Sequence, residues 1–156
     1  MKSLLLALAL ACLCPVQTCE AIPSSILGRW NFEITSFYQG QKIPMAGTSM
    51  IRRFGTTGIF WQSKLNVAGQ PAVASRTWFY DSGELYGEAS EGGIITATVT
   101  GTWWESGNQV FYTTETTSLY ADYTQDTSLI IRGRKKIDMT GIASIGMRLA
   151  GAMTRK

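Results

Sequence analysis

Trp30, Phe32 and Ile34 alternate with Asn31, Glu33 and Thr35, so one stretch carries an apolar face and a wet face at a period of two. That is the period of a β-strand covered on one side only. Gly28 lets the chain bend into this strand beside other backbone. The same rhythm returns at Ile95, Ala97, Val99, Gly101 and Trp103, set against Thr96, Thr98, Thr100 and Thr102. A strand that buries an indole needs a covering layer, and the remaining chain must supply it.

Turn signals divide that remainder at nearly regular intervals. Ile22 to Leu27 is expected to form one short helical turn that plugs the entrance to the first strand, Gly28 to Tyr38. Gln39 to Pro44 reads as a loop, followed by a strand over Thr48 to Phe54 and a turn at Gly55-Thr56-Thr57-Gly58. Ile59 to Val67 places Trp61, Leu65 and Val67 on one face. In Ala72 to Tyr80, Val73 and Phe79 face one way, Trp78 and Tyr80 the other. Shorter strands are expected over Glu84 to Ala89, Gln109 to Leu119, Ser128 to Ile131 and Lys135 to Met139, the last pair flanking Gly133. In the final stretch, Ile142 to Arg155, Met147, Leu149, Gly151 and Met153 alternate with Arg148, Ala150, Ala152 and Thr154. A closing strand fits this pattern, with a small helix as the alternative. Eight to ten short strands without a long helix predict an all-β antiparallel up-and-down meander. Closing into a barrel removes its edges, and a two-sheet β-sandwich is the alternative. No internal boundary interrupts residues 22–156, so one domain is expected there.

Ahead of it, Lys2, the apolar run from Leu4 to Leu13 and the segment ending Cys19-Glu20-Ala21 follow the order of a secretory signal peptide over residues 1–21. Two processing routes are open. Cleavage after Ala21 gives a secreted or periplasmic protein. Reading Ala9-Leu10-Ala11-Cys12 as a lipoprotein signal instead puts a lipid anchor on Cys12 and tethers the protein to a membrane. All three cysteines, Cys12, Cys14 and Cys19, lie in this leader, so disulfides and thiol chemistry are not expected beyond it. No apolar run reaches the length of a transmembrane segment.

The chain has no histidine, which removes Ser–His and Cys–His nucleophile systems and imidazole metal sites. It has no phosphate-cradling glycine loop either, and no cofactor is implied. Glu84 and Glu88 share a strand face at a spacing of four, and Glu33 opposes the Trp30 face. All three read as solvated outer-face acids rather than an acid–base pair. Arg132, Arg134, Lys135 and Lys136 form the densest charge cluster, either a solvated hairpin end or a site for phosphates or anionic headgroups. No aromatic residue is interleaved with it, so nucleic acid is not an expected partner. Of the neighbours Trp103 and Trp104, one must face inward and the other outward.

A helical turn followed by Gly28-x-Trp30 opening an antiparallel meander resembles the lipocalins and related calycin barrels. Phe54-Gly55-Thr56-Thr57-Gly58-Ile59-Phe60 is similar to the first hairpin of small bacterial lipocalin-like domains. The resemblance implies a basic residue late in the chain lying across the tryptophan, for which Arg155 and Arg148 are the candidates. It also implies binding rather than catalysis. Trp30, Phe32, Trp61, Val99, Trp103 and Tyr112 are the candidate lining for a small hydrophobic ligand. The competing expectation is a solid barrel filled by those same side chains and acting as a structural or interaction module. A third, an enzyme using carboxylates or tyrosines at the mouth, has least in its favour.

Overall fold

The computed structural model describes residues 24–156 apart from 57, 68 and 69, so the leader and its alternatives at Ala21 and Cys12 lie outside the described residues. A 3-10 turn, Ser24–Ile26, leads into ten strands. They are β1 (Gly28–Tyr38), β2 (Gln41–Phe54), β3 (Gly58–Val67), β4 (Val73–Phe79), β5 (Glu84–Glu91), β6 (Ile94–Ser106), β7 (Gln109–Ser118), β8 (Tyr123–Arg132), β9 (Lys136–Ala143) and β10 (Arg148–Arg155). Each strand pairs antiparallel with its neighbours in sequence, and β1 pairs with β10 to close the barrel. Of the final stretch, Arg148 to Arg155 is the closing strand, while Ile142 and Ala143 complete β9 and Met147 lies before β10. A single closed sheet replaces the sandwich alternative. The β1–β10 register sets Trp30 opposite Arg155 and Phe37 opposite Arg148.

Three local expectations are corrected. The segment expected as a loop over Gln39 to Pro44 is a tight turn at 39–40, after which β2 has already begun. Pro44 is tolerated there because the described pairing of β2 with β3 starts only at Met45↔Val67, so among the described residues Pro44 is paired with β1 alone. Strand β8 likewise starts at Tyr123, well before Ser128. On β6, Ile95 leaves the inner face. The register passes from Ala89↔Ala97 to Ser90↔Ile95, so Thr96 is an extra residue and the pleat inverts beyond it. Ile95 is accordingly 53% exposed at the rim.

The up-and-down order sends all inner-facing positions into one space, whose two ends differ. At the end where β1 begins, Ile26, Trp30, Ile51, Val110, Ile131 and Ile137 are buried and fill the lumen. The residual void there is about 10 Å³, about one water sphere or less. Trp30 is the anchor. Its ring is fully buried, and its Nε1–H donates to the Ile26 carbonyl at 2.8 Å, so the one polar atom of the indole is satisfied. On the outer face, Arg52, Phe60, Trp78 and Tyr86 lie directly opposite one another across β2 to β5. Their rings contact in sequence, with centroids 5.2 Å apart for Phe60–Trp78 and 5.8 Å for Trp78–Tyr86, an aromatic ladder of the kind that stabilises sheets.

Candidate functional site

Toward the opposite end the filling stops. Inner positions there carry smaller or hydroxylated side chains, and the lumen opens into a cavity of about 350 Å³. Trp61 and Phe79 border both this cavity and the small void below it, so these two rings form the floor. Phe79 is the hub. Its ring lies 6.4 Å from Trp61 in a stacked arrangement, and meets Trp103 and Tyr112 edge-on at 5.9 and 5.7 Å. The Trp61 Nε1 atom is buried with no hydrogen-bond partner, unlike that of Trp30.

The walls are divided by strand. Phe32 and Ile34 of β1, Met45 of β2, Met139 of β9 and Leu149 of β10 make an apolar side. On the other sides Ser63 of β3, Ser75 and Thr77 of β4, Thr114 and Thr116 of β7 and Gln125 of β8 bring hydroxyls and an amide, interspersed with Leu65, Val73, Leu85, Ala89 and Val99. The Ser63 and Ser75 hydroxyls are 2.6 Å apart, and Thr114 Oγ1 donates to the Gln125 carbonyl at 3.3 Å. Gly47 keeps the cavity open from behind. It lies opposite Phe32, and a Cβ on it would come within 2.6 Å of the Phe32 ring and 2.0 Å of the Lys64 carbonyl. With no side chain there, the Phe32 ring lies back against the wall.

Of the six residues expected to line a ligand site, Phe32, Trp61, Val99 and Tyr112 border the cavity. Trp30 and Trp103 do not. Both face inward, but they are buried in the filled end, where Trp103 Nε1 donates to the Tyr80 carbonyl at 2.9 Å. Their size is the reason: a buried indole takes up the lumen at the level where it stands. Sequence reasoning missed the hydroxyl wall because β7 carries threonines on both faces, Thr114 and Thr116 inward and Thr113 and Thr117 outward. Phe79 shares the inner face with Val73, as its pattern predicts, yet nothing in that pattern marks it as a floor.

Tyr112 is the cavity residue whose ionisation the fold alters most. Burial pushes its phenol up to about 12, against a smaller opposing effect of its hydrogen bond with Thr127. It therefore stays neutral at any ordinary pH. The carboxylates singled out earlier lie elsewhere. Glu33 and Glu84 are exposed, and Glu88 accepts a hydrogen bond from the Tyr86 hydroxyl at 2.8 Å on the outer face. That bond raises the Tyr86 phenol. In the basic hairpin, Arg132 and Lys136 bind Asp138 at 3.1 and 2.9 Å and hold its carboxyl below the usual range. Trp104 faces outward, half-buried against Phe111 with centroids 5.5 Å apart. Among the described residues no acidic or thiol cluster could hold a metal ion, and no helix is long and apolar enough to cross a membrane.

Fold and cavity together define the class: a ten-stranded antiparallel up-and-down β-barrel, filled at one end and open at the other. No protein-family model matches the sequence, and no curated protein does. Solved structures share the fold. The crystal structure of Rv2717c from M. tuberculosis is similar over 88% of this chain and 99% of its own, with a TM-score of 0.59 at 12% identity. The redesigned β-barrel b11L5F_LGL covers 90% of this chain and 98% of its own, at a TM-score of 0.54 and 14% identity. A further redesigned barrel, mFAP1, solved bound to DFHBI, covers 84% and 95% at a TM-score of 0.52 and 9% identity.

Proposed function

We propose that this protein is a secreted or periplasmic binding protein that holds a small hydrophobic ligand in the open half of a lipocalin-like barrel, and that it works by binding rather than catalysis. The cavity carries the reading. Its volume, about 350 Å³, lies in the range of small-molecule sites, and its lining is mainly apolar with a few convergent polar groups. The competing reading, a solid barrel serving as an interaction module, suits the Trp30 end but leaves the open half unexplained. A redesigned barrel of similar fold, solved bound to DFHBI, lends support, since a barrel of this architecture is compatible with small-molecule binding. Native mass spectrometry of the protein purified from its own compartment tests the reading. A retained small molecule, released on unfolding and lost when Ala89→Phe or Val99→Phe fills the lumen, is the expected result. The same spectrum reports processing: Ile22 at the N-terminus for cleavage after Ala21, or a diacylglycerol adduct on Cys12 for lipidation.

A further inference from the structure

We infer that the cavity selects an uncharged, amphipathic ligand, an apolar body with hydroxyl, carbonyl or ether oxygen along one edge, and that it rejects carboxylates. This rests on the carrier reading above and narrows it to a chemical class.

The first observation is what the lining lacks. Among the described residues, none bordering the cavity is Asp, Glu, Lys or Arg. Charged residues are present on the same strands but fall on the opposite parity of the pleat: Glu33, Lys64, Arg76, Glu88, Asp126 and Arg148 all alternate with cavity residues. A carboxylate drawn into this space would give up its hydration and meet no cation in return. At the mouth the pleat adds a charge of the wrong sign for an anion. Glu91 sits opposite the cavity residue Val73, with the Tyr120 hydroxyl 3.5 Å from its carboxylate.

The second observation is the division of the walls. A purely hydrocarbon ligand would satisfy the side made by Phe32, Ile34, Met45, Met139 and Leu149 but would cover the hydroxyls of Ser63, Ser75, Thr77 and Thr116 without offering them a hydrogen-bond partner. A ligand with oxygen along one edge satisfies both sides. The Tyr112 phenol, kept protonated by its burial, adds a neutral donor near the floor. Met45 and Met139 let the apolar side adapt to different outlines, so shape is selected less strictly than polarity.

The test compares one ring system with four substituents on the full mature protein: 2-methylnaphthalene, 2-naphthalenemethanol, methyl 2-naphthoate and 2-naphthoate, by equilibrium dialysis at pH 7. The alcohol and the ester are expected to bind about tenfold or more tighter than the carboxylate, and severalfold tighter than the hydrocarbon. In Ser75→Ala/Thr77→Val, the advantage over the hydrocarbon should shrink while hydrocarbon binding is kept. Carboxylate binding equal to that of the ester would overturn the inference, as would equal binding of alcohol and hydrocarbon to the unaltered protein. Both results leave the carrier reading standing. Failure of all four to bind would overturn the carrier reading, and the inference with it.

Discussion

The guanidinium carbon of Arg155 lies 5.4 Å from the centre of the Trp30 ring, across the seam where β10 meets β1. Its nitrogens also donate to the carbonyls of Ser25 at 3.1 Å, Leu27 at 2.8 Å and Arg134 at 3.3 Å. One side chain therefore ties the 3-10 turn, the β8–β9 hairpin and the indole together. Of the two late arginines, Arg155 has this position, while Arg148 lies opposite Phe37 at the other end of the seam.

Arg155→Lys should lower the unfolding midpoint nearly as much as Arg155→Ala. An ammonium cannot lie flat on the ring and reach three carbonyls at once, and the stacking alone contributes about 0.5–1 kcal/mol at an exposed site. Chemical denaturation of both variants decides this. Full retention of stability by the lysine variant would show that charge alone suffices.

Gly28 should be intolerant of alanine for a reason linked to the same contact. Its φ of 131° lies where side chains are strained, and a Cβ there would come within 2.8 Å of an Arg155 nitrogen. Gly28→Ala is expected to cost about 1–3 kcal/mol. Combining it with Arg155→Ala should cost less than the sum, which a double-mutant cycle measures.

The tryptophans should separate by role. Trp30→Ala empties a fully buried site and should cost about 3–5 kcal/mol, whereas Glu33→Ala on the outer face should stay within about 0.5 kcal/mol. Trp30→Phe should cost more than Trp61→Phe. The first leaves the Ile26 carbonyl without its donor, and the second removes an indole N–H that has no partner. Equal losses would mean that the filled and open ends do not differ in packing.

Alkaline pH should act through Tyr112. Its folded value, about 12, lies above the ordinary 10, so its contribution is complete below pH 10 and is lost as pH rises toward 12. The slope is at most about 1.4 kcal/mol per pH unit. Comparing wild type with Tyr112→Phe isolates it: the variant should lose less stability between pH 10 and 12, whatever its stability at pH 7.

The barrel was legible because period-two alternation and glycine turns are local signals, and the strand at Trp30 had the same bounds in sequence and in structure. The Pro44 segment and the Thr96 bulge were not legible. Each depends on where a neighbouring strand stops or slips, which no single strand records. For the site, parity identified which side chains face inward, including all six candidates. Depth along the axis decided that Trp30 and Trp103 belong to the filled end while Phe32, Trp61, Val99 and Tyr112 border the cavity. Depth follows from the stagger of all ten strands together.

The seam also governs how the molecule assembles in time. Every strand pairing except β1 with β10 is a hairpin between chain neighbours, closing a short loop at little entropic cost. Those hairpins can form quickly and in any order. The last pairing must bring together the two most distant strands, so it is expected to be the slowest to form. Until it forms, two unpaired edges stand open to other chains. Weakening the Trp30–Arg155 junction would then lengthen the life of that open sheet, and aggregation during refolding would rise before any loss of equilibrium stability became large.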